Sequence, residues 1–87
     1  SEQYDARLQS AGLVPLPDDD TVFVRRPGKR ETGFSVWSLK GGMLYAVEAV
    51  RDPAGYMLGK TCLERDLTPD AARLADPAFD LKAFVAG

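Results

Sequence analysis

Eighty-seven residues, 45% hydrophobic and 28% charged, are enough for one globular domain, 1–87, and exclude two. With no histidine and one cysteine, Cys62, the chain lacks the parts of a Ser-His or Cys-His centre, an internal disulfide or a zinc site. A net charge of −2 argues against nucleic acid as partner, and no apolar run approaches the roughly eighteen residues of a membrane span, so the expected location is the cytoplasm.

Tyr4 to Leu13 alternates, with Tyr4, Ala6, Leu8 and Ser10 on one side and Asp5, Arg7 and Gln9 on the other, which predicts a first strand. Val14 to Asp20, VPLPDDD, predicts a loop. Its three adjacent carboxylates lack the alternating spacing of a calcium loop and read as a solvated connection. Thr21 to Arg26 is β-branched and aromatic, a second strand, and Arg26-Pro27-Gly28-Lys29 has the residues of a type II turn. The basic cluster Arg25, Arg26, Lys29 and Arg30 at that tip reads first as solvated surface and second as a patch that steers an acidic partner.

Phe34 to Lys60 is the centre of the chain. Gly41-Gly42 between two alternating runs predicts a hairpin with a two-residue turn. A tight turn there makes Leu39 face Leu44, Trp37 face Ala46, Val36 face Val47 and Phe34 face Ala49. Phe34, Val36, Val47 and Ala49 are then the expected core side. The other side, with Trp37, Leu39, Leu44 and Ala46 beside Ser35 and Glu48, is also largely apolar and calls for cover from a neighbour.

Asp52-Pro53 is a helix start, a capping side chain followed by a ring preset to helical φ. From Pro53 to about Arg65, Ala54, Met57, Leu58, Thr61 and Cys62 form the expected buried stripe, with Tyr56 and Leu63 nearly opposite. Cys62 is expected to be a small buried hydrophobe. Thr68-Pro69 is expected to cap a short helix, Asp70 to Ala75, and Asp80 a last turn from Lys82 to Phe84, with Leu74, Phe79, Leu81 and Phe84 tying the tail to the sheet. The expected fold is α+β: a small antiparallel sheet of about four strands, a helix after the central hairpin and a short helical tail.

No spacing singles out a catalytic pair among the carboxylates, and no residue set suggests a metal. Ala54 to Thr61, AGYMLGKT, fits a loose phosphate-binding loop, but Pro53 starts a helix where that loop needs exposed amides. No GxGxxG occurs. Trp37 has the flat surface to stack on a flavin, though sheet packing explains it more simply.

FSVWSLKGGMLYAVEAV, then RDPAGYMLGKTCLE, then ARLADPAFDLKAF, resemble the carboxy-terminal domain of the FAD-dependent NADH:ferredoxin reductases of oxygenase systems, the putidaredoxin reductase and rubredoxin reductase type. SEQYDARLQSAGL resembles the opening strand of that domain. The resemblance implies a parent flavoprotein with FAD and NAD domains, in which hydride passes from NADH to FAD and single electrons pass to a [2Fe-2S] ferredoxin. It implies that this domain packs beside the flavin, helps dock ferredoxin and, alone, binds neither FAD nor NADH and is no enzyme. The family's flavin-side tryptophan would fall before Ser1, leaving Glu2 and Gln3 as the residues near the flavin. Lys82, in DLKAF, matches the tail motif and is the implied ferredoxin contact. Arg25 and Arg26 are further docking candidates, although the turn from Arg26 to Arg30 departs from the family's Gly-Asp-containing turn. Trp37, Tyr56 and Leu63 are the expected domain-interface residues. A freestanding protein-interaction module is the alternative, and a small nucleotide-binding protein using Ala54 to Thr61 is a third reading.

Overall fold

Gly41 and Gly42 both adopt positive φ, 58° and 80°, as a tight hairpin turn requires. They join two of the four strands seen in a computed structural model, which describes residues 8–87. The strands are β1 (Leu8–Gly12), β2 (Thr21–Pro27), β3 (Phe34–Lys40) and β4 (Met43–Val50), all antiparallel, in the order β1-β4-β3-β2. The helices are α1 (Pro53–Glu64), α2 (Ala71–Ala75) and α3 (Leu81–Ala86). The α+β expectation stands. Of the expected first strand, residues 4–7 lie outside the described part.

The hairpin register is not the expected one. Leu39 does pair with Leu44, but Ser38 then pairs with Ala46, Trp37 with Val47, Val36 with Glu48, Ser35 with Ala49 and Phe34 with Val50. Tyr45 is the extra residue of a β-bulge. On the other side of β4, Leu13 N donates to the Tyr45 carbonyl at 3.2 Å. Gly12 (φ 84°) passes this point so closely that a Cβ would strike the Tyr45 oxygen, so β1 ends on a glycine.

Because side chains alternate along a strand, one slipped residue exchanges faces. The core face is therefore Val24, Trp37, Leu39, Leu44 and Val47, packed against Cys62, Leu74, Leu81 and Val85 of the helices. Trp37, Val47, Cys62 and Leu74 are fully buried. Each large side chain so buried contributes roughly 1.5–3 kcal/mol of transfer free energy. Phe34 and Val36, expected in this core, are half-buried on the opposite face.

The buried stripe of α1 also differs from expectation. It is Gly55, Gly59 and Cys62, flanked by half-buried Leu58 and Leu63, whereas Met57 is 55% exposed and Ala54 is exposed. Gly59 lets the helix backbone approach Val47 of β4, and Gly55 leaves room for the capping Asp52 carboxylate, so the smallest residues, not the most apolar, mark the buried stripe. All three helices are capped by aspartates. Asp52 accepts from Gly55 N at 3.1 Å, Asp70 from Arg73 N at 2.8 Å and Asp80 from Ala83 N at 3.0 Å. Thr68 does not cap α2; its hydroxyl accepts from Leu44 N at 3.1 Å. The β2–β3 connection is longer than the expected type II turn. Pro27 still pairs with Phe34, Gly28 N donates to the Gly33 carbonyl at 2.8 Å and Gly33 N to that of Arg30 at 3.0 Å.

Candidate functional site

Two surfaces remain once the core is assigned: the sheet face without helices, and the end of the sheet beyond Pro27.

On the helix-free face the register sets three rows across the sheet. They are Phe23, Ser38, Ala46 and Gly12; then Arg25, Val36, Glu48 and Ser10; then Pro27, Phe34, Val50 and Leu8. Two largely apolar rows enclose one carrying charge. Among the described residues no helix contributes to this face. Leu8 is 56% and Phe23 47% exposed, at opposite corners of the face, and Tyr45 of the bulge is exposed too. Exposed apolar rows flanking a charged one suit contact with another body. The Arg25 guanidinium lies 4.2 Å from the centroid of Phe34, a cation–π contact across the face. Ser38, the cross-strand partner of Phe23, is fully buried and its hydroxyl has no hydrogen-bond partner among the described residues.

Beyond Pro27, the turn 28–33, the start of α1 and the α2–α3 connection enclose a cleft of about 270 Å³. Pro27, Leu58 and Phe79 supply apolar wall, and Lys29 and Lys82 stand at it from two separate elements. A second cleft of about 180 Å³ adjoins, sharing Lys29, Asp52 and Ala54 and adding Arg30 and Arg51.

The candidate residues divide between these surfaces and the core. Arg26 is a structural staple. Its guanidinium donates to the carbonyls of Leu74 (3.1 Å), Asp76 (3.0 Å) and Phe79, so it fastens β2 to the tail and has little left for a partner. Trp37 is fully buried in the chain's own core, its Nε1 donating to Ser35 Oγ at 2.8 Å, and therefore presents no atom to a neighbour or a flavin. The bulge is the reason: it puts Trp37 on the helix side. Leu63 is half-buried: it packs against the core from α1, and an added Cβ on Gly12 would come within 3.1 Å of it. Tyr56 is half-buried on α1. Lys82 is exposed in the first turn of α3, and Arg25 is exposed on the sheet face. Glu2 and Gln3 lie outside the described residues. The basic run at 29–30 held the signal for the cleft, but Arg51 carried none, being a lone charge until the fold brings it to Lys29.

Ala54–Thr61 is not a phosphate loop. Tyr56 N donates to the Asp52 carbonyl at 3.0 Å, Gly55 N to the Asp52 carboxylate, and the Thr61 hydroxyl to the Met57 carbonyl at 2.9 Å, so helix α1 already uses these groups. Among the described residues no cluster of three metal-ligating side chains occurs, and no helix is long and apolar enough to cross a membrane. In the aspartate run, hydrogen bonds from Lys40, Thr21 and the Asp20 amide hold the Asp18 carboxyl below its ordinary range; Lys40 lies at 3.0 Å.

The profile of the family described as "Reductase C-terminal" matches residues 1–85. The chain belongs to this reductase C-terminal family. It is 42% identical over 89 residues to rhodocoxin reductase of Rhodococcus erythropolis, an alignment covering 99% of this chain and 19% of that protein. It is 34% identical to the probable ferredoxin reductase CtmF of Castellaniella defragrans, covering 97% of this chain and 20% of the relative. The crystal structure of the ferredoxin reductase for the CYP199A2 system from Rhodopseudomonas palustris superposes with a TM-score of 0.75 at 30% identity, over 90% of this chain and 19% of that one. The chain thus spans about a fifth of the length of these relatives. The fold of a ferredoxin reductase C-terminal domain, expected from the sequence, is the fold observed.

Proposed function

We propose that this reductase C-terminal domain serves an FAD-dependent NADH:ferredoxin oxidoreductase, in which electrons pass from NADH through FAD to a [2Fe-2S] ferredoxin that feeds an oxygenase. The observation that carries this reading is the helix-free sheet face, in a chain matching only a fifth of each relative. The face packs against the FAD and NAD domains. Phe23, Phe34 and Leu8 are its apolar contacts, and Arg25 and Glu48 are a charged pair of positions that fixes register. Half-buried Tyr56 lies at the edge of such contacts.

The described residues do not form a dinucleotide site of their own. They have neither a glycine-rich loop before a helix nor a crevice in a parallel sheet, so the flavin belongs to the neighbouring domains. The domain's part is mechanical: it shields the flavin side of the assembly from water and presents cations to the ferredoxin. Arg26 is committed to the fold and Arg25 to the sheet face, which leaves Lys82 as the docking contact of the original candidates. The reading carries a cytoplasmic location with it.

Replacing the matching segment of rhodocoxin reductase with this chain tests the reading. A chimera that retains NADH-dependent ferredoxin reduction supports it. A folded, flavin-containing chimera that oxidises NADH with an artificial acceptor yet passes no electrons to ferredoxin contradicts it.

A further inference from the structure

β2 is the last strand of the sheet, and among the described residues no strand pairs with its outer edge. Gly28 N donates to the Gly33 carbonyl at 2.8 Å and Gly41 N to that of Asp20 at 3.2 Å. Backbone groups alternate in direction along an antiparallel strand, so Val22, Val24 and Arg26 turn theirs to β3, while Thr21, Phe23, Arg25 and Pro27 turn theirs to the open edge. Thr21 N already donates to the Asp18 carbonyl at 3.1 Å, and Pro27 has no N–H. Phe23 and Arg25 each keep a donor and an acceptor with no partner among the described residues. Helix α2 packs on β2 from the helix side, where Leu74 joins Val24 in the core. An edge with such free groups is a template for a further strand.

Charge is segregated along the same strand. Asp18, Asp19 and Asp20 precede it, Lys29 and Arg30 follow it, and all five are exposed. A second copy of β2, laid antiparallel about a two-fold axis at Val24, sets Phe23 against Arg25 of that copy, Asp19 against Lys29 and Asp18 against Arg30. Thr21 then opposes Pro27, so the two edge positions without a free N–H meet each other and strand no donor. The alternation also admits axes at Phe23 and Arg25. The first sets Asp19 against Pro27, and the second against Glu31, a like charge, so charge selects the axis at Val24.

The other charges near the two ends are engaged or neutral in this arrangement. Asp18 is shared with Lys40 at 3.0 Å, which makes Asp19 the freer acid. Arg26 is spent on the tail carbonyls. Asp52 and Asp80, which share a cleft with Lys29, hold the amides of Gly55 and Ala83. Glu31 falls opposite Pro17.

We propose that β2 pairs antiparallel with β2 of a second copy of this chain about a two-fold axis at Val24, joining the two sheets edge to edge. Phe23 N and Arg25 N of each copy donate to the Arg25 and Phe23 carbonyls of the other, and Asp19 and Lys29 close each end of the seam. Such an interface is isologous, and its charges complement themselves. One short strand on each side buries less than the roughly 1,000 Å² of a stable interface, so the association is weak and reversible, with a Kd on the order of 100 micromolar. The pairing goes beyond the proposed function: it uses the strand edge, whereas that reading uses the helix-free face.

The test is sedimentation equilibrium of the 87-residue chain from about 10 micromolar to about 1 millimolar, with amide hydrogen exchange at both limits. A monomer–dimer equilibrium is expected, in which exchange at Phe23 and Arg25 slows severalfold at the higher concentration while exchange along β1 is unchanged. Asp19→Lys and Lys29→Asp, both at exposed positions outside the strand, each raise Kd about tenfold by setting like charges opposite. A chain carrying both changes dimerises again, and so does an equimolar mixture of the two single variants, because the two-fold places residue 19 of each copy against residue 29 of the other. Spectral dispersion shows that each variant is folded. A chain that stays monomeric at the upper concentration overturns the proposal. So does a dimer whose Kd ignores both single changes, a dimer whose protection lies away from Phe23 and Arg25, or a failure of the mixture to recover association.

Discussion

Gly59 of α1 rests directly on Val47 of β4. A Cβ built on Gly59 would sit 2.5 Å from Val47 Cγ2 and 2.7 Å from Cβ and Cγ1. Val47 is fully buried and branched at Cβ, so it cannot swing aside. Gly59→Ala therefore destabilises the domain although alanine gains about 1 kcal/mol of helix propensity; a net loss of roughly 1–3 kcal/mol is expected from overpacking. Val47→Ala in the same chain restores part of that loss. Urea denaturation of the two single variants and the double variant gives the coupling.

Arg26 closes the tail onto β2 through the carbonyls of Leu74, Asp76 and Phe79, with its guanidinium also 5.8 Å from the Phe79 ring centroid. Arg26→Leu keeps the stem and leaves those carbonyls without their donor. The expected loss is about 2–4 kcal/mol, with Arg26→Lys intermediate because an ammonium cannot reproduce the planar fork. Hydrogen exchange should accelerate first in residues 71–87, ahead of the β3–β4 hairpin. Uniform acceleration through the chain would show that Arg26 is not a local staple.

Asp52 is buried, caps α1 through Gly55 N, and stands where Gly28 passes close by. Asp52→Ala costs about 1–2 kcal/mol, and Asp52→Asn recovers most of it, because the cap needs an acceptor and not a charge. The thermal midpoints of the two variants separate these contributions.

Burial pushes the Cys62 thiol pKa above its ordinary 9.0, with Arg65 opposing in part. The unfolded thiol ionises near 9, while the folded one keeps its proton to higher pH. Its contribution to stability is thus complete below pH 9 and is lost as pH rises through the folded-state value. Between pH 8 and 10.5 the stability of the parent chain falls more steeply than that of Cys62→Ala. Iodoacetamide at pH 8 modifies Cys62 only at the rate of unfolding.

The elements were legible where local chemistry decides them. Gly41-Gly42, Asp52-Pro53 and Asp80 mark a turn and two helix starts by residue type alone, and the structure has all three. The faces were legible only in part: Val47 and Ala49 of β4 are buried as expected, but the bulge at Tyr45 has no residue signature and sets the opposite face of β3 beside them. That one residue explains why Trp37 went from expected interface to core, and Phe34 and Val36 from expected core to the open face. The stripe of α1 was misplaced for another reason. Hydrophobic spacing gives glycine no weight, yet Gly59 is where the helix rests on β4 and Gly55 is where the capping Asp52 carboxylate folds over the first turn. The role of Arg26 depends on contacts 47 to 53 residues away in sequence, which no local reading supplies.

The most direct test of the account is hydroxyl-radical footprinting of Phe23 and Phe34 in the isolated chain and in the rhodocoxin reductase chimera, with buried Trp37 as internal reference. If the helix-free face meets the FAD and NAD domains, oxidation of both phenylalanines drops severalfold in the chimera while Trp37 stays protected in both proteins. Equal oxidation of Phe23 and Phe34 in the two proteins would contradict the account, because the face would then remain in water within the assembled reductase.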